Sequence, residues 1–140
     1  MSLRTYDPKQ VAVIIAGQII SGFADGTFVN VERDEDTWSL QVGADVEATR
    51  AKSNNKSGTL TVTLQQGSPS NAVLAALATA DELTNTGIFS FLIKDNSGNS
   101  LHLAETAYIQ KPAGSEYGRE AGTREWVIRT DNLTTTPAGN

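Results

Sequence analysis

The sequence predicts a mainly β, antiparallel fold, either a β-sandwich or a barrel-like sheet, with one flanking α-helix. Alternation with a period of two marks a strand that places Leu60, Val62 and Leu64 on one face and three threonines on the other. The period then changes to that of a helix from about Pro69 to Leu83, with Ser68 as its N-cap. The apolar stripe of this helix consists of Val73, Leu74, Leu77 and Ala78. Because the remaining chain reads as short strands and polar connections, we expect the helix to close against a β-sheet core.

Four short strands are predicted before this segment. The letters VAVII and QIISGF form two strands joined at Ala16-Gly17, and an Asp-Gly turn precedes the strand FVNVERD. The strand TWSLQVG alternates Trp38, Leu40 and Val42 with polar residues. This alternation favours burial of Trp38 in the core.

The segment from Ala44 to Lys56 is a long connection between two predicted strands, and it has few large apolar residues. Connections of this length without a periodicity of their own are usually functional or disordered. We expect a loop at about 44–56 that projects from the body, with part of it continuing as a strand. Its charged side chains favour a protein–protein contact, and a solvated loop is the alternative.

Three further strands are predicted after the helix. The buried side of the strand IFSFLIKD consists of Phe89, Phe91 and Ile93. A turn at 96–99 closes a hairpin onto the strand SLHLAETAYIQK. The last strand, TREWVIRTDNL, places Trp126 and Ile128 on one face, and this pattern favours burial of Trp126.

Length and composition predict a single domain, residues 1–140, that ends in a flexible polar tail at about 134–140. The chain has no cysteine, which excludes disulfides and thiolate metal sites. Eleven basic and sixteen acidic residues give a formal net charge of −5, which argues against a surface that grips phosphates. No apolar run is long enough to span a bilayer, and we interpret the first apolar segment as a strand pair rather than a signal peptide.

The candidate catalytic and metal-binding residues do not form a credible site. The carboxylates between Glu32 and Asp36 lack the spacing of a calcium loop, so an exposed acidic turn is the favoured interpretation. The single histidine, His102, has no cysteine or second histidine with which to bind a metal. We therefore expect no enzyme activity, no catalytic or metal-binding residue and no cofactor.

Three strings of residues carry a resemblance to a known family. They are W-S-L-Q-V-G-A-D from Trp38 to Asp45, R-A-K-S-N-N-K-S-G-T from Arg50 to Thr59, and S-P-S-N from Ser68 to Asn71. Together with the order of the elements, they resemble the tail tube proteins of contractile-tailed bacteriophages over nearly the whole chain. The resemblance implies a fold shared with the tubes of pyocins and of type VI secretion.

The resemblance also implies an assembly. Subunits of this family form hexameric rings that stack into a hollow tube inside a contractile sheath, and DNA travels through the tube. The loop at 44–56 matches the contact between stacked rings. The implied contact residues between rings and between subunits are Asp45, Glu47, Arg50, Lys52, Asn54, Asn55 and Lys56.

The implied partners are further copies of the chain and the sheath, baseplate and tail terminator proteins, with no membrane. The tape measure protein and DNA would pass through the lumen without specific binding. We expect a lumen that is net negative or near neutral, because the chain is acidic and its polar strand faces carry no basic stripe. The implied location is the virion tail, after assembly in the host cytoplasm.

Two other functions stay open on the residues alone. One is a β-sandwich module that binds carbohydrate or protein, which would need exposed aromatic side chains on one sheet face. The other is an enzyme on a β-scaffold, which would need an active site.

Overall fold

Ten strands and one α-helix are present in residues 3–139, the part of the chain that the computed structural model describes. In chain order the elements are a 3₁₀ helix (Pro8–Gln10), β1 (Val11–Ile15), β2 (Gln18–Ile19), β3 (Val29–Arg33), β4 (Trp38–Val42), β5 (Ala48–Lys52), β6 (Gly58–Gln65), α1 (Ser70–Thr84), β7 (Phe89–Asp95), β8 (Leu101–Lys111), β9 (Thr123–Thr130) and β10 (Thr134–Thr136). No helix in this part of the chain is long and apolar enough to cross a lipid bilayer.

Eight of the strands form one antiparallel sheet, in the order β2-β1-β7-β8-β9-β6-β3, with β10 paired to β8. The other two, β4 and β5, pair only with each other. The prediction of a mainly β, antiparallel fold with one helix is therefore confirmed.

The predicted flexible tail begins as a strand instead. Thr134–Thr136 pairs with residues 101–103 of β8, next to Leu133, whose side chain is fully buried in the core. The buried side chain of Leu133 holds this segment against the core. Strand β10 then supplies hydrogen-bond partners to an edge of β8 that would otherwise be open. Residues 1, 2 and 140 of the predicted domain lie outside the described residues.

Residues 20–24 link β1 to β6, the strands next to the two edges of the main sheet. At the start of this segment, the Ile20 N–H donates a hydrogen bond to the Val13 carbonyl of β1 (2.9 Å). Two residues further on, the Gly22 carbonyl accepts a hydrogen bond from the Gln65 N–H of β6 (2.8 Å). Of the two forms left open by the sequence, these bonds favour the barrel-like one, because they link β1 and β6, which lie next to the opposite ends of the strand order.

The core lies on the inner face of this sheet. Leu60, Val62 and Leu64 of β6 are 0% exposed, as their alternation with threonine predicts. The predicted inner residues of β7 and β9 are also buried: Phe89, Phe91, Ile93, Trp126 and Ile128.

The helix covers one part of this core with a narrower stripe than predicted. Leu74 and Ala78 are buried, whereas Val73 and Leu77 are only half-buried, and Leu83 is exposed. The helix ends where the sequence indicates, because Asn85 adopts a left-handed conformation and donates its N–H to the Asp81 carbonyl (3.0 Å). Leu74 is therefore the central anchor of α1.

The start of the helix is fastened by polar contacts. The Ser68 hydroxyl accepts a hydrogen bond from the Ser70 N–H (3.2 Å) and donates one to the Ser21 carbonyl (2.6 Å). The Trp126 indole N–H donates to the side-chain oxygen of Asn71 (3.0 Å), so the buried indole has a partner. Gly22 is required here, because it has φ +75° and a Cβ at this position would lie 2.5 Å from the Ser68 Oγ.

Candidate assembly surface

Strands β4 and β5 form a hairpin that we call the arm, residues 38–52. Trp38 pairs with Lys52, Leu40 with Arg50, and Val42 with Ala48. A five-residue turn, 43–47, closes the arm, and its Gly43 N–H donates to the Glu47 carbonyl (2.8 Å). The predicted projecting segment at 44–56 is thus the second half of a hairpin whose first half is β4.

The arm has one apolar face that the described chain does not cover. Trp38, Leu40 and Val42 are 44%, 70% and 59% exposed. Because directly paired residues point to the same side of a sheet, Arg50 and Lys52 lie on this face as well. The predicted burial of Trp38 is wrong, since β4 pairs with β5 rather than with a strand of the main sheet and has no core to face.

Two cations surround Trp38 on this face. The Arg50 guanidinium lies 3.7 Å from the centroid of the Trp38 ring, and the Lys52 ammonium lies 5.9 Å from it. Both distances lie within the range of cation–π attraction, which strengthens where water is excluded. The apolar face of the arm is therefore basic as well as hydrophobic, on a chain that is acidic overall.

The tip of the arm is strained and exposed. Val46 has φ +66° and is 81% exposed. A β-branched residue rarely adopts this left-handed conformation, which costs about 1–2 kcal/mol for an L-residue. The arm thus holds an apolar side chain outward at its tip in a conformation that its own sequence disfavours.

The base of the arm is bound firmly to the main sheet. The Asp34 carboxylate accepts a hydrogen bond from the Thr59 hydroxyl (2.7 Å) and forms an ion pair with Arg129 (2.7 Å). The hydrogen bond from Thr59, followed by smaller effects that include Arg129, lowers the pKa of Asp34 below its usual value. On the other side of the base, the Lys56 carbonyl accepts a hydrogen bond from the Leu133 N–H (2.7 Å).

The predicted contact residues occupy three parts of this hairpin. Asp45 and Glu47 lie in the closing turn, and Arg50 and Lys52 lie on β5 beside Trp38. The remaining three, Asn54, Asn55 and Lys56, are exposed residues that follow the arm at its base. Asn55 also has a local role there, because its side-chain oxygen accepts a hydrogen bond from the Ser57 N–H (3.0 Å).

The apolar residues of the arm were not among the predicted contact residues: Trp38, Leu40, Val42 and Val46. The signal was present in the alternation of TWSLQVG, which predicts a strand with one apolar face. The error was to assume that the core of the same chain covers that face.

A second surface lies on the outer side of the main sheet, and we call it the threonine face. Thr59 lies between Glu32 of β3 and Arg129 of β9, and Thr61 lies between Asn30 and Val127. Thr63 pairs with Glu125 in the same way. Arg129 on this face is paired with Asp34, and Lys111 of β8, which pairs with Val127, lies at its margin, so the described part of the surface carries two separate cations rather than a basic stripe.

The residues considered for catalysis or metal binding do not converge. No group of three or more His, Cys, Asp or Glu within residues 3–139 is arranged to hold a metal ion. The Nδ1 atom of His102 lies 2.6 Å from the Thr135 hydroxyl, so the imidazole helps to fasten β10 to β8. Burial lowers the pKa of His102 below its usual 6.5.

The fold is similar to solved parts of contractile injection systems. The tube-terminating cap of the anti-feeding prophage superposes with a TM-score of 0.66 at 9% identity, over 99% of this chain and 95% of that one. The sheath/tube terminator of the PVC extracellular contractile injection system gives 0.64 at 10% identity, over 97% and 99%. The PVC sheath-tube complex gives 0.64 at 11% identity, over 96% and 93%. These likenesses define the fold class.

The sequence relatives define the family. Structural protein ORF10 of Pseudomonas phage KPP10 is 38% identical over 144 residues, which cover 97% of this chain and 83% of that protein. The family model described as the bacteriophage PhiTE tail tube protein matches residues 11–136. The chain belongs to this family. It is a structural protein of a phage tail and not an enzyme.

Proposed function

We propose that this chain is the repeating subunit of a tail tube, in which hexameric rings stack into a hollow conduit for DNA inside a contractile sheath. The observation that carries the proposal is the arm, a hairpin outside the main sheet that presents an exposed apolar face. A contiguous exposed apolar surface of this kind indicates a protein–protein contact. A contact that joins two different surfaces of identical subunits generates closed rings or open stacks.

In this proposal the arm is the contact between subunits and between rings. Its apolar face, Trp38, Leu40 and Val42, would be buried against a neighbouring copy, with Arg50 and Lys52 beside it. The tip residues Asp45 and Glu47 would set the register through their charges. The exposed residues Asn54, Asn55 and Lys56 would form a polar rim around the base.

The threonine face is the surface that best suits a lumen. The hydroxyls of three threonines and the amide of Asn30 lie on it, Glu32 and Glu125 add negative charge, and the guanidinium of Arg129 is already paired. A wall of this kind repels the phosphates of DNA or binds them only weakly, because it releases few counterions on contact. DNA and the tape measure protein would then pass without being held.

The outer partners follow from the same arrangement. A tube of this kind would be surrounded by the sheath, would begin at the baseplate and would end at the terminator. Its subunits would assemble in the host cytoplasm before they become part of the virion tail.

Electron microscopy of the purified chain tests the proposal. We expect hollow tubes of stacked rings in negative stain at high protein concentration. A protein that stays monomeric at every concentration, with the arm intact, would contradict the proposed function.

A shortened arm isolates the part played by the hairpin. Ser39 and Ala51 are directly paired, so residues 40–50 can be replaced by Asn-Gly, which forms a two-residue hairpin turn. We expect a folded subunit that no longer forms long tubes. The matched control is Leu83→Ala, which removes an exposed apolar side chain from α1 and should leave assembly unchanged. Tubes of normal length from the shortened chain would exclude the arm as the contact.

A tube terminator is the second candidate function. It is favoured by the similarity of the fold to the anti-feeding prophage cap and the PVC sheath/tube terminator. A terminator would form single rings that do not stack on one another. The same micrographs therefore separate the two functions, since tubes indicate a tube subunit and isolated rings indicate a terminator.

A further inference from the structure

A cavity of about 320 Å³ lies on the inner side of the main sheet, where β1, β3, β7 and β8 meet. Its apolar walls include Val11, Val31 and Ile93, and the aromatic rings of Tyr6 and Phe28 also line it. This volume is at the small end of ligand pockets, so the cavity suits one side chain or a small organic molecule.

The polar group of this cavity is a buried carboxylate. Asp95 is 5% exposed, and its Oδ1 accepts hydrogen bonds from the N–H (2.9 Å) and the hydroxyl (2.6 Å) of Ser97. Its Oδ2 is buried and has no hydrogen-bond partner among the described residues. A buried carboxylate oxygen without a partner carries a large desolvation cost, so a donor that enters the cavity would be strongly favoured.

Two other polar residues of the cavity, Ser100 and His102, have partners. The Ser100 hydroxyl donates to the Ala138 carbonyl (2.9 Å), and the His102 Nδ1 is within hydrogen-bond distance of Thr135. Asp95 is the buried carboxylate of this cavity whose hydrogen bonding is incomplete. Apolar walls, two aromatic rings and a carboxylate suit a cation on an apolar stem, such as an alkylguanidinium or alkylammonium group.

We propose that this cavity binds a basic side chain from the arm of a second copy of the chain, Arg50 or Lys52. Charge complementarity favours this occupant. Three of the eleven basic residues lie between Arg50 and Lys56, and two of them stand on the exposed apolar face of the arm. That face would meet the apolar rim of the cavity while the cation reaches Asp95. This inference rests on the proposed self-assembly and adds the site that receives the arm.

A small-molecule probe tests the cavity without assembly. n-Butylguanidinium is titrated into the full chain at a concentration where it is monomeric, and the backbone signals of Ser97 and Ser100 are followed by NMR. We expect saturable shifts that weaken about tenfold or more in Asp95→Asn, because the charged partner of the hydrogen bond is lost. n-Butanol, which has the same stem without the charge, should give no saturable shift.

The Asp95→Asn variant is a mild change, since the amide oxygen can still accept the hydrogen bonds of Ser97. Circular dichroism and the thermal midpoint establish that it folds. Glu82→Gln is the matched control, because it removes the same charge from an exposed position on α1. Equal affinity of the probe for the wild type and for folded Asp95→Asn would overturn the cation site.

A double-mutant cycle identifies the occupant. Asp95→Asn and the pair Arg50→Gln with Lys52→Gln should each weaken self-association about tenfold or more, and all three together no more than the stronger of the two. Additive losses would exclude the arm as the occupant. Unchanged association of Asp95→Asn would overturn this inference and leave the tube proposal standing, whereas a wild type that never associates would contradict the tube proposal itself.

Discussion

Strands β4 and β6 have the same pattern and opposite surroundings. Each alternates three large apolar residues with polar ones, and the apolar residues are Trp38, Leu40 and Val42 in the first and Leu60, Val62 and Leu64 in the second. In β6 the apolar side chains are fully buried, because β3 and β9 flank the strand and the core lies beneath it. In β4 they are exposed, because among the described strands it pairs with β5 alone.

The same alternating pattern can therefore serve either the stability of the subunit or its assembly with other subunits. The apolar face of β6 stabilises the subunit, and its loss should unfold the chain. The apolar face of β4 contributes little to the subunit, so in the proposed tube its burial stabilises the assembly instead. Substitutions in the two strands should therefore change different measurements.

The largest expected effect tests this separation directly with one substitution in both strands. Leu60→Ala should lower the free energy of unfolding by about 2–5 kcal/mol, as large-to-small changes in a core do. Leu40→Ala should change it by about 0.5 kcal/mol or less, because Leu40 is exposed. Urea denaturation of both variants measures the contrast. An equally large loss in Leu40→Ala would mean that the arm is part of the folding unit of the body.

The second-largest expected effect is a loss of stability from substitutions in α1, the helix that covers part of the core. Leu74→Ala should cost about 2–5 kcal/mol, and Leu77→Ala less, because Leu77 is only half-buried. Leu83→Ala, at an exposed position of the same helix, serves as the control. Denaturant midpoints of the three variants should follow that order, and a greater loss in Leu77→Ala would contradict the packing described for α1.

A smaller effect is expected at the tip of the arm. Val46→Asn should stabilise the closing turn by up to about 1 kcal/mol, because asparagine tolerates the left-handed conformation better than valine. The Gly43 amide reports on this turn, since it donates to the Glu47 carbonyl. Its hydrogen exchange should slow in the variant, while the same change at Val42, which lies on a strand, should not slow it. Faster exchange in Val46→Asn would show that the turn is not strained.

The smallest expected effect is a pH dependence of the stability of the main sheet, which contains His102. Burial lowers the pKa of His102, so below about pH 6.5 the unfolded chain binds more protons than the folded one. Stability should therefore fall as the pH decreases through this range. His102→Gln should reduce this fall, as measured by thermal midpoints at about pH 7.5 and about pH 5.5. The chain with the shortened arm should keep the full pH dependence. Loss of the pH dependence in that chain would mean that the effect arises in the arm rather than at His102.

The main sheet and α1 could be predicted from the sequence because the patterns that indicate them are local. Period-two alternation predicted the inner faces of β6, β7 and β9, and the change of period predicted α1. The same alternation places Asp95 on the buried side of β7, because Asp95 follows Phe89, Phe91 and Ile93 in phase. A carboxylate at the end of a strand is usually exposed, so the pattern alone does not indicate that Asp95 is buried beside a cavity.

The arm and the closure of the sheet depend on contacts between distant segments. The alternation of β4 predicts a strand, but it does not reveal that β5 is the only partner. The bonds of residues 20–24 to β6 leave no pattern in the sequence, because backbone groups of any residue can make them. The contact residues from Asp45 to Lys56 were implied by a resemblance, and their role in assembly stays a prediction.

A two-stranded hairpin that is held only at its base has a consequence for how a tube grows. Such hairpins are marginally stable in water, so the arm of a free subunit should open and close far more often than the main sheet. A subunit in solution would then seldom present an ordered arm to another, and starting a tube would be slow. In the proposed tube, an existing ring would order the arm of each subunit as it docks, so elongation would outpace initiation. Arm amides that exchange rapidly in the free subunit and slowly in the tube would reveal this, whereas slow exchange in both would show that the arm is rigid before it docks.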